Sequence, residues 1–369
     1  MIQTENVGSL PRPAYFQDAF ADYDAGRITK ACLLKIQDAA VKDTIKRLEG
    51  TGQDLVTDGE QRSSSFATYP LTDTLGGTGL SQNLGVGPDS FCISFADGHT
   101  RQLPYLTSGP FKYNTYAYDN FALSKKFATK PMKCAVISPS MMYMIYPSNN
   151  PIQSYPKENF IKDLILECVK DIRGCFAAGA KRVSIDFTDG RMAAQDPNLL
   201  DTFIDLNNKV LSNFTAEERK DIGVHTADVP YHALLPSLFR INAEYFLIQM
   251  ASETEKEEAL EDIGANLRFD ADGVKQVAFI GVVNTLNPHV ESPEEIRDVL
   301  LLAAKHIGED QLGATDDCGF SPFSIDHKPK YGGADFAREI AFMKIANRVT
   351  GVALANECLD YTCRGAQQQ

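Results

Sequence analysis

The chain has 369 residues, of which 43% are hydrophobic and 23% charged, and a formal net charge of −13. That apolar share can bury a large core and excludes wholesale disorder, while the acidic balance argues against nucleic acid or an anionic membrane as partner. Eight cysteines occur without a Cys-x-x-Cys pair, and no apolar run is long enough to span a bilayer or lead a signal peptide, so a reduced, cytoplasmic protein forming one domain over residues 1–369 is expected.

The first residues run to VGSLPRP, where Gly8 and Ser9 precede two prolines. A strand near Val7 therefore ends in a rigid turn whose N–H groups can face a ligand. A helix follows over roughly 29–48, with Leu33, Ile36, Ala40 and Leu48 on one stripe, and Gly50 and Gly52 end it. A short strand over 54–57 leads into DGEQR. Residues 63–130 break the rhythm. They are rich in Gly, Thr, Tyr and Phe, and FCISFADGHTRQLPYL reads as a β-hairpin. The stretch is expected to be a β-rich insertion that projects from the domain after strand two.

Alternation then resumes. A strand over 133–137 leads into SPSMMYMIYP, and a helix over 157–178 carries Ile161, Leu164, Ile165, Cys168, Ile172 and Cys175 at helical spacing. A strand over 182–187 leads into TDGR and a helix over roughly 198–212. A strand over 222–225 leads into TADVP and a helix through 234–239, and a strand over 245–250 leads into ASE and an acidic segment over 252–273. The strand over 277–283 leads into NTLNPHVES, where Ser292 and Glu295 form a capping box for a helix over 293–307. A strand over 312–314 opens LGATDDCGFSPF, and a last helix runs through 335–349.

About eight short apolar strands, each followed by a helix or a long connection, predict an α/β fold: a single (β/α)8 TIM barrel with parallel strands buried on both faces. An open doubly wound sheet would call for a glycine-rich phosphate fingerprint after strand one, and none is present. In such a barrel the residues just past each strand converge on one mouth. They include Ser9, Glu60, Asp186, His225, Asp228, Glu253 and Cys318, with Asp58, Ser138, Asp189, Gln249, Asn284, Asn287, Asp316 and Asp317 beside them. Carboxylates facing one pocket repel, so they need a cationic ligand, a metal or protons to coexist. A zwitterionic amino acid whose ammonium sits among them is one solution. Zinc on Cys318 and a histidine is a compatible second.

VGSLPRP, DLVTDGEQR, ISPS, RVSIDFTDGR, ADVPYHALLPSLF and LGATDDCGFSPF together resemble the cobalamin-independent methionine synthase family, most of all its short members with a single catalytic barrel. The resemblance covers 7–355 and implies a zinc-assisted transfer of a methyl or alkyl group to a homocysteine-like thiol, with a methylfolate as donor. It implies a substrate clamp: Gly8 and Ser9 on the carboxylate, Glu60 and Asp186 on the ammonium. It implies metal ligands at Cys318 and His225, with Glu253 the nearest carboxylate to a third. The family's His-x-Cys pair is absent, because Thr226 and Ala227 follow His225, and Gln249 stands near the family's glutamate. The alternative is a lyase or alkyltransferase of specialised metabolism acting on a thioether, amino acid or epoxide with a degenerate or absent zinc site. Acid–base work would then fall to Asp186, His225 or Asp228. The expected partners are small molecules, with a homodimer as the expected assembly.

Overall fold

The computed structural model describes residues 1–62, 91–94, 100–103, 105–227, 231–235, 237–270, 272–320 and 332–366. Nine strands are described, in chain order β1 (Gln3–Thr4), β2 (Phe91–Ser94), β3 (Thr100–Leu103), β4 (Lys133–Ile137), β5 (Arg182–Asp186), β6 (Ile222–Thr226), β7 (Tyr245–Ile248), β8 (Val277–Val283) and β9 (Leu312–Asp316). Seven of them make one parallel sheet in the order β1-β9-β8-β7-β6-β5-β4. Its free edges approach each other across residues 53–57. On one side Val56 pairs in parallel with Met132, donating to Pro131 O at 3.0 Å and accepting from Lys133 N at 2.9 Å. On the other, Thr57 Oγ1 donates to Gly8 O at 3.1 Å and Gln53 Nε2 to Asn6 Oδ1 at 3.0 Å. The sheet therefore curls round, consistent with a TIM-like barrel.

The two faces of the curl bury different things. On β7, Phe246 and Ile248 join the large core between sheet and helices, whereas Tyr245 and Leu247 pack with Val7 and Phe279 in a separate cluster. Strand alternation assigns that second cluster to the barrel interior. At the strand starts the interior is ionic. Glu5 accepts from Lys133 Nζ and from Arg182 Nη1, both at 2.7 Å, and the Arg182 guanidinium lies 5.0 Å from the centroid of the Tyr245 ring. The opposite end, where the strands finish, is thus free to open as a mouth.

The helices follow their local signals. Ser292 Oγ accepts from Glu295 N at 3.2 Å while Glu295 Oε2 accepts from Ser292 N at 2.6 Å, the reciprocal cap expected for the helix Pro293–Ala303. The helix Lys157–Ala177 buries Leu164, Cys168, Ile172 and Cys175, as its spacing predicts.

Several boundaries differ from expectation. Strand one ends before Val7, and 54–57 makes one bridge rather than a strand. The helix read through 234–239 divides into Tyr231–Leu234 and a 3-10 turn, Ser237–Arg240. The last helix runs from Ala334 to Ala366. Helices Ala14–Asp24 and Lys256–Asn266 stand where none was read.

The β-rich insertion is not confirmed, because residues 63–90, 95–99 and 104 lie outside the described residues. Within 63–130 the antiparallel pair β2–β3 is described, with its connection outside the described residues. The return leg is the helix Ala117–Lys125 and its approach. Phe111, Tyr113 and Tyr116 are buried in the main core rather than projecting from it. Aromatic content favours strands by composition, but here the rings dock on a helix instead: Tyr116 OH donates to Glu167 Oε2 at 2.6 Å, and Tyr113 OH lies 3.5 Å from Cys168 Sγ.

Candidate active site

A cavity opens at the ends of the strands. Its wall takes Ser9 from the turn after β1, Glu60 from the turn after the Val56 bridge, Asp186 from β5, His225 from β6 and Cys318 from the turn after β9. Segments far apart in sequence therefore meet here. Ser184, Ala135 and Thr188 complete much of the lining and were not singled out from sequence. A signal for the first existed: in RVSID the polar residues alternate, which places Ser184 on the same face as Asp186.

Two glycines allow the close approach. A Cβ on Gly8 would stand 2.6 Å from Glu60 Oε1, and one on Gly319 would stand 2.0 Å from Ser9 Oγ. Ser9 O also accepts from Phe320 N at 2.8 Å, so the first and last strands' turns are stitched together. Glu60 is the one non-glycine residue among the described residues with a positive φ, 54°. A left-handed glutamate is strained unless its surroundings hold it. Here Asp58 Oδ1 accepts from Glu60 N at 2.9 Å, and Arg12 Nη2 donates to Glu60 O at 3.0 Å. Burial raises the Glu60 carboxyl to about 8, and the neighbouring Asp186 charge adds to the rise against the pull of Arg12. The site thus holds a proton at neutral pH where two acids face each other.

Asp186 Oδ1 lies 3.2 Å from His225 Nδ1. The imidazole is buried, and Nε2 has no hydrogen-bond partner among the described residues. Cys318 is half-buried on the same wall.

Other acids expected at the mouth do structural work. Asp316 is fully buried in an ion pair with Arg348. Asp317 turns to the loop after β7, accepting from Met250 N (2.8 Å), Ala251 N (2.7 Å), Ser252 N (2.8 Å) and Ser252 Oγ (2.7 Å). Burial nevertheless lifts its carboxyl to about 6, against the pull of those four donors. Replacing Asp317 by Ala strands three backbone amides, and a loss of about 2–4 kcal/mol of unfolding free energy is expected in urea titration. Asp189 is buried, accepts from Ser138 Oγ at 2.6 Å, and is pushed by burial to about 7. Asn284 and Asn287 cap their own turn through Leu286 N and His289 N. Asp228 lies outside the described residues.

The expected metal set is not gathered among the described residues. Among the described residues, no three His, Cys, Asp or Glu side chains gather as a group that could hold a metal ion. His225 and Cys318 share the cavity, but Glu253 is not on its wall and its Oε1 accepts from Thr254 N at 3.1 Å.

Residues 1–326 match the family model described as the catalytic domain of cobalamin-independent synthase. The chain belongs to the cobalamin-independent synthase family. It is 21% identical over 358 residues to a methionine synthase of Sulfurisphaera tokodaii, covering 97% of this chain and 93% of that one. It is 23% identical over 330 residues to a 5-methyltetrahydropteroyltriglutamate–homocysteine methyltransferase of Aeromonas salmonicida, but spans 40% of that longer relative. In fold it is similar to a B12-independent methionine synthase from Shewanella sp. W3-18-1 solved with selenomethionine, at a TM-score of 0.71 and 17% identity over 97% of this chain and 98% of that one. A second such fold, from Listeria monocytogenes, gives a TM-score of 0.69 at 20% identity, covering 97% and 99% of the two chains. In this member of the cobalamin-independent synthase family, no helix among the described residues is long and apolar enough to cross a membrane.

Proposed function

We propose that the protein transfers a methyl group, or a related alkyl group, to the sulfur of a homocysteine-like amino acid bound in this cavity. What supports the reading is the meeting of Ser9, Glu60, Asp186, His225 and Cys318 on one wall in a member of this family. Glu60 and Asp186 face the substrate ammonium, Gly8 and Ser9 its carboxylate, and His225 and Cys318 its sulfur end. The sheet closes as a full (β/α)8 barrel around them, in a cytoplasmic protein that pairs as a homodimer. A methylfolate, the donor in the Aeromonas relative's name, is the first donor to test. Zinc would need a third protein donor beside His225 and Cys318, and none of the described residues supplies one.

That shortfall favours one second reading, a lyase or alkyltransferase on a thioether, amino acid or epoxide that works through acid–base groups at Asp186, His225 and Asp228. One assay separates the two. Purified protein is given homocysteine with 5-methyltetrahydropteroyltriglutamate, and methionine is followed. Methionine formed over many turnovers is the expected result. No methionine, with turnover of a thioether or an epoxide–thiol pair, would transfer the cavity to the second reading.

A further inference from the structure

Within the amino-acid reading above, His225 offers the ligand's side chain a specific partner. Asp186 faces Nδ1, so the neutral ring keeps its proton on that nitrogen and presents a lone pair at Nε2. The residue is 4% exposed, it lines the cavity, and Nε2 meets no donor among the described residues. A buried acceptor left without a donor costs free energy, and a ligand that brings the donor recovers it.

A metal is the other group that could take this lone pair, and the strand register argues against it. His225 stands opposite Leu247 across the β6–β7 pair. Two residues on, just past the strand ends, stand Ala227 after β6 and Gln249 after β7. Neither supplies an anionic ligand: Ala227 has only a methyl, and Gln249 is a neutral amide that donates through Nε2 to Ser252 Oγ at 2.8 Å. Cys318 and His225 alone fall short of the three protein ligands a catalytic zinc uses.

We propose that the site is metal-free and that His225 Nε2 accepts a hydrogen bond from the side-chain S–H or O–H of a bound amino acid. The ligand class is an α-amino acid carrying a protonated thiol or a hydroxyl. Asp186 serves both ends, holding the imidazole tautomer and facing the ammonium.

The test is calorimetric titration of EDTA-treated protein with L-homocysteine, L-homoserine and L-methionine, alongside metal analysis of the protein as purified. The expected result is zinc far below one equivalent, with homocysteine and homoserine affinities unchanged by EDTA or by added zinc. Methionine, which has no side-chain donor, is expected to bind about tenfold more weakly than homoserine. His225→Phe is expected to erase that preference, bringing homoserine and methionine to similar affinities; circular dichroism confirms folding of the variant. Equal binding of all three amino acids overturns the hydrogen bond to Nε2. Zinc at one equivalent, with homocysteine binding lost in EDTA and restored by zinc, overturns the metal-free site while sparing the amino-acid reading. Binding of none of the three, with or without zinc, overturns both.

Discussion

Replacing Glu60 by Gln is expected to lower kcat/KM for the amino-acid substrate about a hundredfold, equivalent to about 2.7 kcal/mol of transition-state binding. It is also expected to flatten the pH dependence of binding. The Glu60 carboxyl is held at about 8 by burial and by Asp186, so the empty site is protonated at neutral pH. An ammonium wants the carboxylate, so binding expels a proton, and affinity rises with pH by up to about tenfold per unit until pH reaches about 8. The stability consequence has the opposite sense. A carboxyl raised above its usual 4.5 keeps a proton in the folded chain that the unfolded chain gives up, so folding weakens as pH climbs from about 4.5 to about 8. The Gln variant escapes that loss and is expected to be at least as stable as the parent at pH 8. Calorimetry in two buffers of different ionisation heat counts the expelled proton. A Gln variant with undiminished kcat/KM, or a parent whose binding ignores pH, would remove Glu60 from the substrate contact.

Arg348→Ala is expected to cost about 3–5 kcal/mol of unfolding free energy, because it leaves Asp316 buried and unpaired. Both side chains have no exposed surface. The guanidinium also donates through Nη2 to Gln53 Oε1 at 3.0 Å, so one arginine ties the last helix to β9 and to the segment that closes the sheet. Burial drives the Asp316 carboxyl up and Arg348 pulls it back, so removing the arginine leaves the burial cost unopposed. The double replacement Arg348→Met with Asp316→Leu removes both charges and fills similar volume, and it is expected to recover most of the loss. Denaturant titration of the parent, single and double variants checks this. A single variant within 1 kcal/mol of the parent would show that the buried pair carries little, since a pair this deeply buried is expected to cost several times that when broken.

How far the sequence reached follows from how local each signal is. Strands such as Val277–Val283 announce themselves because parallel strands covered on both faces must be apolar throughout. The cap at Ser292 is written within four residues. That Ser9, Glu60 and Asp186 would meet at one cavity was legible because a curled parallel sheet sends its strand ends to one place, whatever the intervening chain. What escaped was decided by distant partners. Asp316 and Asp317 read as a pair of mouth acids, yet one answers to Arg348 and the other to amides at 250–252. Nothing in the composition of LGATDDCGF says which acid turns which way. Glu253 stands in order like a ligand, yet it is not on the cavity wall and its Oε1 accepts from Thr254 N instead. The helix Ala14–Asp24 carried a legible signal that was passed over: Phe16, Ala19, Phe20 and Tyr23 recur at helical spacing and pack with Leu33 and Ala40.

The stitching of the first residues to the last has a consequence for how the protein is made. Ile2 N donates to Asn356 Oδ1 at 2.7 Å, Asn356 Nδ2 returns a bond to Ile2 O at 3.1 Å, and Gln3 and Thr4 pair with Gly313 and Ala314. On a ribosome emitting the chain from its amino end, β1 has no neighbour to pair with until more than 300 residues have followed it. The ring cannot shut during most of translation, and the half-built sheet must wait with an open edge, a state that invites self-association and the attention of chaperones.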